Sequence, residues 1–201
     1  NRALGEKLSV GASFAVGFTD YRGTSLGDAT IYQPSLTMRR GLSDRWSLST
    51  ALGAAIISIE EAGRSRTSTS FNGTADLCRR DERLSACLSV SRQTVPSSFQ
   101  GVRTQTSGSA SLAYRVSARD EISLSGGYSH AGQPIQRDVV SGRRDGSVDF
   151  ANASGSYSRR FAPALWGNVT VGYAQAFDND VRRSANVTAL AGVTYRFGRQ
   201  P

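Results

Sequence analysis

WSLSTALGAAIISI, residues 46–59, sets apolar side chains at Trp46, Leu48, Leu52, Ala54 and Ile56, with Ser47, Ser49, Ala51 and Gly53 between them. A period of two is that of an extended strand, whose successive side chains point to opposite faces. A strand half exposed to water carries Lys, Glu or Arg on its wet face. This one carries no charge on either face.

The pattern recurs. GEKLSVGASF, SDRWSLSTAL, RDERLSACLSV, RDEISLSGGYS and APALWGNVTVGY each read as a short turn followed by an alternating strand. Their first apolar strand residues are Leu8, Trp46, Leu84, Ile122 and Trp166, spaced by 38, 38, 38 and 44 residues. Before four of these turns stands another strand: SLTMRR, TADLCRR, ASLAYRV and GSYSRRF. A propeller blade of this period needs four short strands, whereas each period here holds two strands of about a dozen residues.

Ten strands follow, at residues 7–20, 29–40, 46–59, 68–79, 84–93, 104–116, 121–130, 146–160, 165–177 and 185–198. Short turns are expected near 41–45, 80–83, 117–120 and 161–164. Longer loops are expected near 21–28, 60–67, 94–103, 131–145 and 178–184. The first strand sets Leu8, Val10, Phe14, Val16 and Phe18 against Ser9, Gly11, Ser13 and Gly17; the last sets Val187, Val193, Tyr195 and Phe197 against Thr188, Gly192, Thr194 and Arg196. In the eighth, Phe150 and Tyr157 differ in parity, which implies a bulge or a different register.

Residues 8–19, 46–59, 84–91, 104–114, 122–136 and 161–177 contain no Asp, Glu, Lys or Arg. Uncharged strand centres with charged ends suit a hydrocarbon layer, where a closed sheet pairs all its backbone groups. No apolar run is long enough for a transmembrane helix. The aromatics sort by height: Trp46, Tyr114, Phe161, Trp166, Tyr195 and Phe197 lie beside the short turns, and Phe18, Tyr21, Phe71, Tyr128, Phe150, Tyr173 and Phe177 toward the long loops. Two belts are what two membrane interfaces select. The fold class expected is therefore all-β, a closed antiparallel up-and-down transmembrane barrel, residues 1–201 forming a single domain. Asn1–Lys7 shows no apolar signal-peptide core, and ALGEKLSVG reads as the end of one more turn, so the segment is alternatively the C-terminal part of a larger barrel.

The formal charge is +8, and Lys7 is the one lysine among 24 basic residues. No module interleaving basic and aromatic residues for nucleic acid is present.

GVTYRF, residues 192–197, together with the repeated hairpins, resembles the C-terminal strand of bacterial outer-membrane β-barrel proteins; the tail from Gly198 to Pro201 departs from the pattern, which often ends on the aromatic. The resemblance implies short periplasmic turns and longer outer loops. It also implies that Gly192, Tyr195 and Phe197 are read by the barrel-assembly machinery, and that the protein sits in the bacterial outer membrane among its lipids and lipopolysaccharide. The Arg-rich turns and LCRRDERLSACLSVSR are more loosely similar to barrels associated with exopolysaccharide export.

Cys78 and Cys87 flank the turn RRDER. Opposed across the hairpin, their Cα atoms come within about 4.5–5.5 Å, inside disulfide range, and an oxidising periplasm permits the bond. The alternative is two free thiols. A spacing of nine with no histidine nearby argues against a metal site, and no cofactor is expected. The one histidine, His130, follows Ser129, so the two side chains point to opposite faces of a strand and make a poor dyad. Asp138 or Asp145 in the following loop is its candidate acidic partner. Glu60, Glu61, Arg64 and Arg66 read as an exposed loop. No enzyme is expected.

The small face of Ser, Thr, Gly, Asn and Ala suggests a lumen without a bulky aliphatic plug. Arg103, Arg115, Arg143, Arg144, Arg182, Arg183 and Arg196 would bias its mouths toward anions. The expected function is a pore or translocation component for anionic solutes or polysaccharide, with periplasmic export partners. The alternative is an anchor or adhesin-like barrel that has no open channel and binds through loop 131–145.

Overall fold

The computed structural model describes residues 2–5, 7–20, 28–61, 64–97, 101–134, 147–178, 184–195 and 197. Eleven strands form one sheet: β1 (Arg2–Gly5), β2 (Leu8–Thr19), β3 (Asp28–Gly41), β4 (Trp46–Glu61), β5 (Arg64–Arg80), β6 (Leu84–Ser97), β7 (Gly101–Arg115), β8 (Asp120–Pro134), β9 (Val148–Ala162), β10 (Leu165–Asp178) and β11 (Asn186–Tyr195). Their order in the sheet is their order in the chain. Each pairs antiparallel with the next, the up-and-down arrangement that short hairpin connections allow.

All ten expected strands are present, and the short β1 is an addition. Two connections expected to be long are not. The β4–β5 ladder continues to Glu61↔Arg64 and the β6–β7 ladder to Ser97↔Gly101, because alternating Ser, Thr and Arg residues sustain pairing to the tips. Glu60, Glu61, Arg64 and Arg66 are thus strand residues and not a loop. No bulge separates Phe150 from Tyr157: the β8–β9 register is unbroken there, and Phe150 sits opposite Ser129 on the small-residue face.

Serines shape two of the short turns. Ser43 Oγ accepts from the backbone N–H of Arg45 (3.3 Å) and Trp46 (3.1 Å), and Ser117 Oγ accepts from Arg119 (3.0 Å) and Asp120 (3.1 Å). Such side-chain bonds hold a tight turn that the backbone alone satisfies incompletely. Lys7 Nζ meets Asp44 Oδ1 at 2.9 Å, joining two neighbouring turns. That hydrogen bond, and then the lysine's charge, hold the Asp44 carboxyl below the usual carboxylate range.

Pro34 stands inside β3, where it has no N–H to give the ladder. Pairing in the β3–β4 ladder is interrupted between Tyr32↔Ile56 and Ser35↔Gly53 and resumes in the same register. Gly53 accommodates the gap: a Cβ there would lie 2.2 Å from the Pro34 carbonyl oxygen.

Among the described residues no pairing joins β11 to β1 or β2, so the expected closure of the last strand on the first is not seen. β1 occupies the turn end of β2 through Arg2↔Val10, Ala3↔Ser9 and Gly5↔Leu8, which blocks β11 from that stretch of edge. Among the described residues both edges of the sheet are unpaired.

The buried core is small and lies on the small-residue face. The β5–β6 ladder runs only from Gly73↔Arg92 to Arg80↔Ser85. Beyond it the loop end of the β6–β7 ribbon is released from β5 and turns onto β3–β5. There Val102 joins Ala29, Ile31, Ala55, Ile57 and Ile59 in one buried cluster. The expectation that no bulky aliphatic residue fills this face is corrected: Ile31, Ile57 and Ile59 continue the parity of the small residues toward the loop end.

Candidate functional site

Register assigns each side chain to a face, because directly paired residues point the same way. On the large-residue face lie Phe14, Phe18, Leu52, Leu88, Leu124 and Val193, all exposed. Across β5–β11 this face curves into an apolar groove of about 930 Å³ lined by residues such as Leu88, Leu112, Leu124, Val171 and Tyr173.

Hydroxyl pairs bridge the strands on the opposite face. Ser13–Ser35 (2.6 Å), Ser91–Ser107 (2.7 Å), Ser123–Ser156 (2.6 Å) and Ser125–Ser154 (2.7 Å) are bonded side chain to side chain. Cys78 and Cys87 sit in the same surface, directly paired with Cα atoms 4.1 Å apart, and form the expected disulfide. The face is therefore small, hydroxylated and locally cross-linked.

At the loop end the β6–β7 ribbon covers it. Thr94 donates to Asn72 Oδ1 through both its backbone N–H and its hydroxyl, each at 3.1 Å, and its carbonyl accepts from Gln33 Nε2 at 3.3 Å. Ser70 and Thr104 hydroxyls meet at 3.4 Å. Thr94, Val102 and Thr104 share one side of the ribbon, since Thr94 pairs with Thr104 and Pro96 with Val102. On its other side Arg103 is only 7% exposed, and its Nε and Nη2 have no hydrogen-bond partner among the described residues. Arg103 is thus a buried guanidinium beside the constriction, not an exposed mouth residue.

At the turn end arginines alternate faces. Arg39, Arg80, Arg115 and Arg160 share the parity of the bonded serines and of the cystine. Arg79 points the other way, 5.9 Å over the Trp46 ring, and Arg79 Nη2 meets Asp81 at 2.7 Å. Arg45 also holds Asp81, at 2.9 Å, and Arg159 approaches Asp120 at 3.7 Å. Of the inward four, only Arg115 was expected from sequence. The doubled arginines at 39–40, 79–80 and 159–160 are the signal for the rest: in any adjacent pair on a strand, one must point inward. Arg143, Arg144, Arg182, Arg183 and Arg196 lie outside the described residues.

Of the aromatics expected in two belts, Phe150 and Trp166 fall on the small-residue face. Trp46 and Tyr114 at the turn end, and Phe18, Tyr128 and Tyr173 at the loop end, are exposed on the large-residue face. Trp166 is not. The β9–β10 register shifts between Leu165 and Trp166, and Trp166 pairs with Arg160 on the small-residue face, where the guanidinium stands 5.4 Å over its ring. Phe161 is the extra residue, and it packs on Gly167: a Cβ there would come 2.6 Å from Phe161 Cε2. In the C-terminal strand Tyr195 is exposed on the large-residue face and its ring centroid is 4.7 Å from that of Phe197. Gly192 faces Asn168, whose Oδ1 a Cβ would approach to 2.9 Å.

His130 Nδ1 lies 2.6 Å from Asp149 Oδ1, and the two residues are directly paired across β8 and β9. Tyr128, two residues along the same face, also bonds Asp149. Ser129 points away, so the cluster lacks that nucleophile. Asp138 and Asp145 lie outside the described residues. Among the described residues no group of three or more His, Cys, Asp or Glu gathers as a metal site.

No family model matches the sequence, and no curated protein matches it significantly. Solved structures do match. Two variants of the FrpB iron transporter from Neisseria meningitidis superpose with TM-scores of 0.71 and 0.72 at 11% identity, over 97% of this chain and 38% and 40% of theirs. A loop-deletion mutant of OmpT, an outer membrane protein of Vibrio cholerae, superposes with a TM-score of 0.52 at 9% identity, over 94% of this chain and 62% of that one. The chain therefore spans about two-fifths of the length of the FrpB structures. Its antiparallel up-and-down sheet has the strand architecture of the outer-membrane β-barrel proteins.

Proposed function

We propose that this chain is the wall of a bacterial outer-membrane barrel that serves as a pore or translocation component for anionic solutes, polysaccharide among them. The observation that carries the reading is the contrast between the two faces of the sheet. The exposed face of Phe14, Phe18, Leu52, Leu88 and Val193 suits the acyl chains of outer-membrane lipids. Serine pairs and turn-end arginines suit water and anions. With its outermost strands unpaired among the described residues and two-fifths of the FrpB length, the sheet suits part of a larger barrel. Gly192, Tyr195 and Phe197 would be its signal to the assembly machinery, periplasmic export components and lipopolysaccharide its further partners. No catalytic role is proposed.

Conductance of the purified protein in planar bilayers tests the reading. Discrete channels with a reversal potential shifted toward the anion potential are expected. A silent bilayer would overturn it in favour of a second reading, an anchor or binding barrel without a channel. That reading has its own support in the β6–β7 ribbon, which buries Ile57 and Val102 across the face that a lumen requires.

A further inference from the structure

We propose that the inward arginines at the turn end, Arg39, Arg80, Arg115 and Arg160, form a track for an extended polyanion bearing repeated carboxylate or phosphate groups; this rests on the small-residue face being a lumen. One stands at or near the end of each of β3, β5, β7 and β9, the strands that run toward the short turns. All four share the face of the bonded serines.

Their charge is less compensated than that of their neighbours. Three outward or turn arginines are matched with acids: Arg45 and Arg79 hold Asp81, and Arg159 approaches Asp120. Among the described residues none of the inward four makes an ion pair, although Glu121 is directly opposite Arg115 and Asp76 shares the face beyond Ser49. Arg160 rests on Trp166, a contact that leaves the edge donors of a guanidinium usable. Hollows of about 520 Å³ and 430 Å³ adjoin Arg39, lined by hydroxyls of Ser9, Ser47, Ser49 and Thr37, with Lys7 and Asp44 at the first and Asp76 at the second.

Spacing selects the ligand. Adjacent strands lie about 4.8 Å apart and each residue rises about 3.4 Å, so Arg80, Arg115 and Arg160, each two residues out of level with the next, are separated by roughly 12 Å, and Arg39 and Arg80, four out of level, by roughly 17 Å. Charge-assisted bonds to one carboxylate or phosphate need donors within about 3 Å of its oxygens. Four arginines so spaced cannot converge on one small anion. They match a chain that offers each a separate group, and the hydroxyls between them suit the polar backbone of such a chain.

Binding to the intact protein in detergent micelles tests this without reference to conductance. The probes are fluorescent polygalacturonate and polyphosphate at low salt, with galacturonate monomer and neutral dextran as comparisons. At least one polyanion is expected to bind, and to weaken about tenfold or more in the Arg39→Gln/Arg80→Gln/Arg115→Gln/Arg160→Gln variant, with a flatter salt dependence. Binding by only one polymer identifies the anionic group. The same four positions changed to Lys should retain most of the binding, which separates lost charge from lost fold. Arg40→Gln/Arg45→Gln/Arg79→Gln/Arg159→Gln removes equal charge elsewhere and should stay within about threefold of the parent.

Equal loss in that second set, equal binding of dextran, equal displacement by monomer, or no polyanion binding at all would overturn the track. Conduction without polyanion binding refutes this inference alone. Polyanion binding with a silent bilayer refutes the pore and leaves the track standing.

Discussion

Gly53 shows what a single atom decides in this sheet. Pro34 interrupts the β3–β4 ladder, and the missing Cβ opposite lets the two backbones come together. Gly53→Ala should therefore cost about 1–3 kcal/mol, the usual penalty for forcing a methyl into filled space. Gly17→Ala is the comparison, because nothing lies within 4 Å of a Cβ built there. Urea unfolding in micelles should show a lower midpoint for the first variant and little change for the second; equal shifts would remove the close approach as the cause. The tryptophans offer a second test at this scale. Acyl chains brominated near the headgroup should quench Trp46 strongly and Trp166 weakly, read in Trp166→Phe and Trp46→Phe variants respectively. Similar quenching would return Trp166 to the outer belt. Trp46 was legible because WSLSTALG keeps strict alternation from the turn onward. Trp166 was not, because the extra residue Phe161 shifts the register one step before it, and nothing in RRFAPALW marks which residue is extra.

The hairpin β5–β6 is the element whose pairing the sequence disclosed most fully. Two cysteines flanking the turn RRDER share a face if they are opposed across the hairpin, and Cys78 meets Cys87 directly. Its disulfide closes a short loop, so the entropy it removes from the unfolded chain is limited to roughly 2–3 kcal/mol. Cys78→Ser/Cys87→Ser should lower unfolding stability by no more than that and leave the assembled sheet intact. An unchanged midpoint between oxidised and reduced parent protein would show that the hairpin is already as constrained without the bond. Where β5 and β6 separate was less legible. Asn72, Gly73 and Arg92 lie at the fork, and Arg92 is a charge inside an otherwise uncharged strand. The loop expected at 94–103 placed the end of the strand near the fork, but β6 and β7 stay paired to Ser97↔Gly101 after β5 has left. Strand periodicity reports which side chains share a face; it carries no record of which neighbour a strand keeps.

For the molecule as a whole, the β6–β7 ribbon determines how much of the small-residue face remains open. It is held by two kinds of contact: the buried cluster of Val102 with Ile31, Ile57 and Ile59, and the hydrogen bonds of Thr94 to Asn72 and Gln33. Truncating buried aliphatic side chains costs about 2–5 kcal/mol for Ile→Ala and somewhat less for Val→Ala, because the cavity closes only in part. Ile57→Ala/Val102→Ala should loosen the ribbon without touching the turn-end arginines, and raise single-channel conductance. The opposite change is a tether. Asn72→Cys/Thr94→Cys, in a chain with Cys78→Ser/Cys87→Ser, should cross-link on mild oxidation, since Thr94 N and Oγ1 each lie 3.1 Å from the Asn72 side-chain oxygen. The oxidised channel should conduct less than the reduced one, with reduction restoring the current. Conductance that follows both changes in opposite directions identifies the ribbon as the narrowest part of the path. If the current is the same whether the ribbon is tied, loosened or native, ions pass elsewhere and the ribbon is wall rather than gate.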